Sequence, residues 1–176
     1  MSDVIHEVKD LYRIIPLKNF RRTPGVSFDI IPGKFMPKID GIDRVIHTTG
    51  AISPGPVEGI ERPWYMHTHQ EDNLMVLHGV RYIDLYTHEQ GKIVQFTVKP
   101  NEVLLDNKSM SDDPCMLVWP CGVFHRIKSD PELGSASVNL ATRYDGIDMA
   151  TNFNIYDIDF EARTHRVIRR GEIDQS

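Results

Sequence analysis

From about residue 42 onward the chain is a series of short apolar runs with no long helix between them, cut by turn signals roughly every 8–12 residues. That rhythm restricts the fold more than any other feature. A strand buries one face against a neighbouring layer, so a few residues suffice before the chain turns back. Arg44–Thr48, Trp64–His69, Leu74–Leu77, Val80–Tyr86, Lys92–Val98, Met116–Trp119, Phe124–Lys128 and Ala136–Ala141 all read as strands. Ser53-Pro54-Gly55-Pro56, Glu89-Gln90-Gly91 and Lys99-Pro100-Asn101-Glu102 read as loops and turns. The series predicts an all-β domain, a sandwich or a small barrel, over residues 42–142.

The flanks read differently. Val4, Val8, Leu11 and Ile15 are spaced three or four apart, which predicts a short amphipathic helix ended by Pro16. Residues 20–40 carry Pro24-Gly25, Pro32-Gly33 and Pro37 and predict extended chain and turns. Residues 1–41 are therefore expected to be an N-terminal arm, placed to lie on a partner subunit. Residues 143–176 form a C-terminal extension, in which Phe153–Ile158 and Arg166–Arg169 either pair as a hairpin or run as an extended tail.

Composition narrows the function classes. The net charge is −5, and the basic pairs Arg21-Arg22 and Arg169-Arg170 are short and flanked by acids, so nucleic acid is not an expected partner. No apolar stretch approaches the ~20 residues of a membrane span. The N-terminus lacks a basic region followed by an apolar run. Two cysteines, Cys115 and Cys121, make no disulfide framework for 176 residues, and a reducing, cytoplasmic setting is expected.

The chemistry concentrates in two places. His67-Thr68-His69 is an H-x-H pair, and on a continuous strand residues i and i+2 face the same side. A third imidazole, His125, follows the turn Pro120-Cys121-Gly122. Imidazoles converging from two strands suit a first-row transition metal. Tyr65 shares the parity of His67 and is a candidate for the pocket wall. Arg62, Arg81 and Arg126 are candidates for anchoring an anionic substrate. Trp119 reads as core, and His6, His47, His78, His88 and His165 as surface or strand-end residues.

In this order the two motifs resemble those of the cupin superfamily of small β-barrels. The first is His67-Thr68-His69-Gln70-Glu71-Asp72-Asn73-Leu74-Met75-Val76-Leu77-His78-Gly79, and the second is Pro120-Cys121-Gly122-Val123-Phe124-His125. The resemblance covers residues 42–142, with 106–114 as an inserted loop. It implies a jelly-roll barrel with a divalent metal (Fe, Mn, Ni or Zn) held by His67, His69 and His125. The family's usual fourth ligand is a Glu, absent here at that spacing. Counting back from Gly79 selects Asp72, facing inward with Leu74 and Val76, while Glu71 and Asn73 stand as alternatives.

Such a site implies a metal-dependent enzyme acting on a small oxygenated acid or sugar, dioxygenase-like or isomerase-like. Arg143-Tyr144-Asp145-Gly146-Ile147-Asp148 with Asn154-Ile155-Tyr156-Asp157 resembles the tail of cupin sugar ketoisomerases, although the chain has H-T-H where that family has H-A-H. A sugar-nucleotide isomerase or epimerase is the alternative, and a non-catalytic small-ligand binder a further one. A homodimer is the expected assembly, because open sheet edges need covering.

Overall fold

The computed structural model describes residues 4–175. In chain order the strands are β1 (His6–Val8), β2 (Tyr12–Pro16), β3 (Lys18–Thr23), β4 (Val26–Ile30), β5 (Gly41–His47), β6 (Ile52–Ser53), β7 (Trp64–Met66), β8 (Gln70–Gly79) and β9 (Arg81–Tyr86). They continue as β10 (Val94–Lys99), β11 (Glu102–Leu105), β12 (Lys108–Ser111), β13 (Cys115–Trp119), β14 (Phe124–Ser129) and β15 (Ser135–Arg143). A single-turn helix α1 (Met149–Asn152) precedes β16 (Ile155–Asp159) and β17 (Thr164–Arg169).

Two antiparallel sheets face each other. One has the order β1-β2-β13-β8-β15-β5, and the other β12-β11-β10-β9-β14-β7-β16-β17, with β6 paired to β14. The main core lies between them, built from Tyr12, Ile14, Leu74, Val76, Ile83, Leu85, Phe96, Val98 and Leu117. Period-two alternation puts these side chains on the inner faces. A second cluster of Trp64, Met66, Tyr86, Phe124, Tyr156 and Ile158 is contributed by residues of opposite parity, and so lies on the outer face of the larger sheet. The architecture is an antiparallel jelly-roll barrel, all-β as the rhythm of short strands predicts and a jelly roll as the motif resemblance implies.

The N-terminal helix does not form. Leu11, Tyr12, Ile14 and Ile15 are all buried, and Tyr12–Pro16 pairs with β13 along Cys115–Val118. Apolar residues three and four apart also occur on a strand buried on both faces, and here Ile14 enters the main core while Ile15 packs with Met116 and Val118 behind the sheet. Residues 1–3 of the expected arm lie outside the described residues. The rest of the arm contains an exposed hairpin, β3–β4, with Phe20 against Phe28 at 5.0 Å between ring centroids.

One further difference concerns a loop: the expected inserted loop 106–114 holds β12, folded back on β11. The C-terminal extension takes the hairpin of its two expected forms: Ile155 on β16 pairs with Tyr65 on β7 and with Arg169 on β17, which widens the larger sheet beside the site.

Candidate functional site

Three short segments converge at one end of the barrel. The turn after β13 uses Gly122 at φ 79°, and its N–H donates to the His67 carbonyl at 2.8 Å, tying the second motif to the first. That turn starts β14, where His125 pairs with Tyr65. From the facing sheet, Asp72 on β8 lies opposite Trp119. One ligand-type atom each of His67, Asp72 and His125 lies within 4.8 Å of the others, and all three residues are buried. They form the one group of potential metal ligands among the described residues.

His69 is not part of it. β7 ends at Met66 and the chain bends at Thr68 and His69, so the alternation that would turn both imidazoles to one side is interrupted. The His69 ring instead lies by Gly146, where an added Cβ would stand 3.1 Å from Nε2, and its Nδ1 bonds the Thr68 hydroxyl. Asp72 occupies the inward position that the count from Gly79 selects. Asn73 turns the other way and is consumed by β15, donating to the Leu140 carbonyl, and Glu71 pairs with Arg13.

The hydrogen bonds define the ring states. His67 Nδ1–H donates to the Asn152 carbonyl at 2.5 Å, and His125 Nδ1–H to the Val123 carbonyl at 3.2 Å. A carbonyl can only accept, so each Nδ1 carries its proton. His67 Nε2 is then 3.3 Å from Asp72 Oδ2, and His125 Nε2 4.0 Å from the same oxygen. The other oxygen, Oδ1, accepts from Gln70 Nε2 and Asn139 Nδ2, both at 2.8 Å.

These neighbours push the two imidazoles apart. Burial disfavours protonation of His67, but the Asp72 charge and the bond to it outweigh this and raise its pKa. Burial and the adjacent His67 charge push His125 down to about 4. Asp72 is held well below the ordinary carboxylate range, because His67 and its hydrogen bonds overcome the burial penalty.

The cluster opens on a cavity of about 360 Å³ inside the barrel. Tyr65 and Arg81, both candidates from sequence, line it. Arg126 does not. It is one residue from the inward His125, so its side chain leaves on the outer face, where Nε donates to Asp84 at 2.8 Å and the guanidinium covers Trp64 at 4.1 Å. Arg62 shares that outer cluster, 3.9 Å from Asp84.

Several lining residues escape a reading by motif. His47 and Asp43 point inward from the edge strand β5, and Phe153 arrives from the extension. The strand under His47 is legible, but the face it presents depends on pairing with β15. Trp119 is buried as expected of a core residue, yet it lines the cavity beside His125 and its indole N–H has no acceptor. A buried aromatic one residue before the turn motif is its sequence signal. A separate open groove of about 870 Å³ shares Tyr65 with the cavity and runs along Ile155, Val167, Arg169 and Arg170.

The donor set suits a transition metal. Two Nε2 atoms and one carboxylate oxygen converge, each ring is braced through Nδ1 on a carbonyl, and the carboxylate is braced through its second oxygen. The same set, without a metal, is a pair of imidazoles of unequal basicity sharing one anion.

Fold and site together define a jelly-roll barrel with a buried histidine–carboxylate centre. No family model matches the chain, and no curated protein matches it. Solved structures do. The TDP-quinovose 3,4-ketoisomerase of Campylobacter jejuni is similar at a TM-score of 0.50 and 17% identity, over 79% of this chain and 90% of that one. A dTDP sugar isomerase of Desulfovibrio desulfuricans G20 gives a TM-score of 0.57 at 12% identity, over 81% and 83%. A point mutant of a Thermoanaerobacterium thermosaccharolyticum 3,4-ketoisomerase, in complex with TDP-4-keto-6-deoxyglucose, gives 0.51 at 18%, over 81% and 87%. At these identities the likeness establishes the fold.

Proposed function

We propose that the chain is an isomerase that moves a carbonyl between adjacent carbons of a nucleotide-linked keto sugar by proton transfer. One observation carries this reading: two imidazoles share one buried carboxylate, with each Nδ1 fixed on a backbone carbonyl and each Nε2 turned toward it at the cavity. Isomerising an α-hydroxy ketone requires a base for the carbinol C–H proton and an acid for the carbonyl oxygen. Neutral His125 has an Nε2 lone pair to take the carbon-bound proton. Doubly protonated His67 donates from Nε2 to the oxygen, giving an enediol. His125 then returns its proton to the former carbonyl carbon while the other hydroxyl proton passes back to His67, and no net proton is consumed. Asp72 stays ionised throughout and stabilises His67 whenever that ring is doubly protonated, before and after the enediol. Groups whose environments drive their pKa values apart are suited to divide acid and base roles in this way.

The surroundings support the same reading. A cavity of about 360 Å³ suits a single sugar ring, with Trp119, Tyr65 and Phe153 as apolar walls and Gln70, Asn139 and Asp43 among its polar groups. The groove sharing Tyr65 is placed for the nucleotide. The test is NMR of a TDP-keto sugar incubated with enzyme in D₂O. Isomer formation with deuterium incorporation at the exchanging carbon is expected, and His125→Ala and His67→Ala should each lower the rate by about 10²–10⁴-fold. Wild-type rates in both variants would overturn the assignment. Tight sugar binding without exchange would leave a non-catalytic binding protein.

A second reading is favoured by the braced donor set. His67, Asp72 and His125 would hold a divalent transition metal such as Fe, Mn, Ni or Zn. A metal there polarises a carbonyl or, as Fe, supports dioxygen chemistry. Metal analysis of protein purified without chelators separates the two readings. Stoichiometric metal, lost in Asp72→Asn, favours the second.

A further inference from the structure

We infer that Arg81 forms an oxyanion subsite in the cavity, and that the sugar bound there carries a carboxylate or phosphate. This rests on the sugar-binding reading above and specifies its substrate class. Arg81 is 1% exposed and lines the cavity. Its Nε donates to Ser135 Oγ at 3.0 Å and its Nη2 to the Val45 carbonyl at 3.2 Å. No carboxylate among the described residues lies within ion-pair distance of it. A buried cation without a counter-charge carries a desolvation penalty that nearby neutral acceptors only partly offset. An oxyanion brought in by a ligand would supply what the protein does not.

The surrounding residues hold the guanidinium in place. Ser135 Oγ bonds Ser129 Oγ at 2.7 Å, and Ser129 Oγ bonds His47 Nδ1 at 2.9 Å, so three strands brace Arg81 through a hydroxyl chain. A planar fork held by Nε and Nη2 still has a donor edge for an oxyanion. The subsite is also set apart from the imidazoles. Ser129 pairs with Arg81 and His125 pairs with Leu85 along the same two strands. Four residues of extended chain separate their backbones by roughly 13 Å. A ligand with its reacting carbons at His125 and an oxyanion one ring away would span that distance together with the reach of the arginine. Trp119 Nε1–H, buried in the same cavity without an acceptor, is a second donor that a ligand would complete.

The experiment measures binding of a hexose, the matching hexuronate and the matching hexose 6-phosphate to the intact protein by calorimetry. The expected result is that at least one acid binds about tenfold or more tightly than the neutral sugar, and that Arg81→Met removes the difference. Preference for the uronate identifies a sugar acid, and preference for the phosphate identifies a sugar phosphate. Equal binding of acid and neutral sugar by the wild type overturns the proposal even if Arg81→Met fails to fold, as does undiminished preference in a folded Arg81→Met. His125→Ala separates this proposal from the catalytic one: it should lose proton exchange and keep the preference for the acid.

Discussion

His125 and His47 stand at different ends of the cavity, and burial pushes both pKa values to about 4, with Arg81 adding to the effect on His47 and His67 to that on His125. Their ordinary value is near 6.5. Between those limits the unfolded chain binds protons that the folded chain refuses, so stability falls as the pH drops from about 6.5 toward 4. His67 has the opposite sign. Its pKa is raised, so its contribution is present below 6.5 and is lost only above, as the pH rises through the folded value. Urea unfolding should therefore show a lower midpoint at pH 4.5 than at pH 7. His47→Asn should flatten part of that difference, because Ser129, Arg81 and Ser135 then no longer surround a titrating ring. An unchanged slope in the variant would mean that burial of His47 is not its source. The imidazoles also show what a motif can carry at this scale. His67 and His125 are legible by spacing, whereas His69 is misread because spacing alone does not reveal that the strand stops at Met66.

At the scale of elements, the link between β8 and β9 has the strictest stereochemistry. Gly79 adopts φ 69°, and a Cβ there would lie 2.1 Å from the Gly134 carbonyl oxygen. The chain needs glycine both for the left-handed turn and for the close approach of two backbones. Gly79→Ala should destabilise the fold by about 3 kcal/mol or more, measured by denaturant unfolding. A change under about 1 kcal/mol would show that the turn relaxes freely. The same link makes Asp72 legible. β8 extends from Gln70 to Gly79 with one register irregularity, where Leu77 is passed over between Val76 and His78, and Asp72, Leu74 and Val76 share the inward face of the regular stretch before it. The N-terminal segment had no such anchor. Its apolar spacing suits a helix and a doubly buried strand alike, and pairing with β13 decided between them.

At the scale of the whole molecule, the β3–β4 hairpin is the part least covered by its own chain. All six residues of β3 are exposed, Phe20 and Phe28 meet edge to face, and Val26 on the same hairpin is exposed as well. The edge strand β5 adds Ile42 and Ile46, both on its outer side. Apolar surface of this kind is costly in water, and a second copy of the chain is the proposed cover. Sedimentation velocity should give a dimer for the wild type. Phe20→Glu with Phe28→Glu should give a folded monomer, since neither ring belongs to the barrel core. A monomeric wild type would remove the dimer from the proposed reading.

The sequence by itself determined the all-β class and singled out His67, His125 and the inward carboxylate Asp72 as candidates. These depend on alternation and turn chemistry, which act over a few residues. Tertiary structure alone decided that His69 stands outside the cluster, that Arg126 belongs to the outer face, and that His47, Trp119 and Arg81 meet in one cavity. Those outcomes depend on where strands end and which rows of two facing sheets come into register. Such pairings join residues far apart in the chain, and no local pattern encodes them.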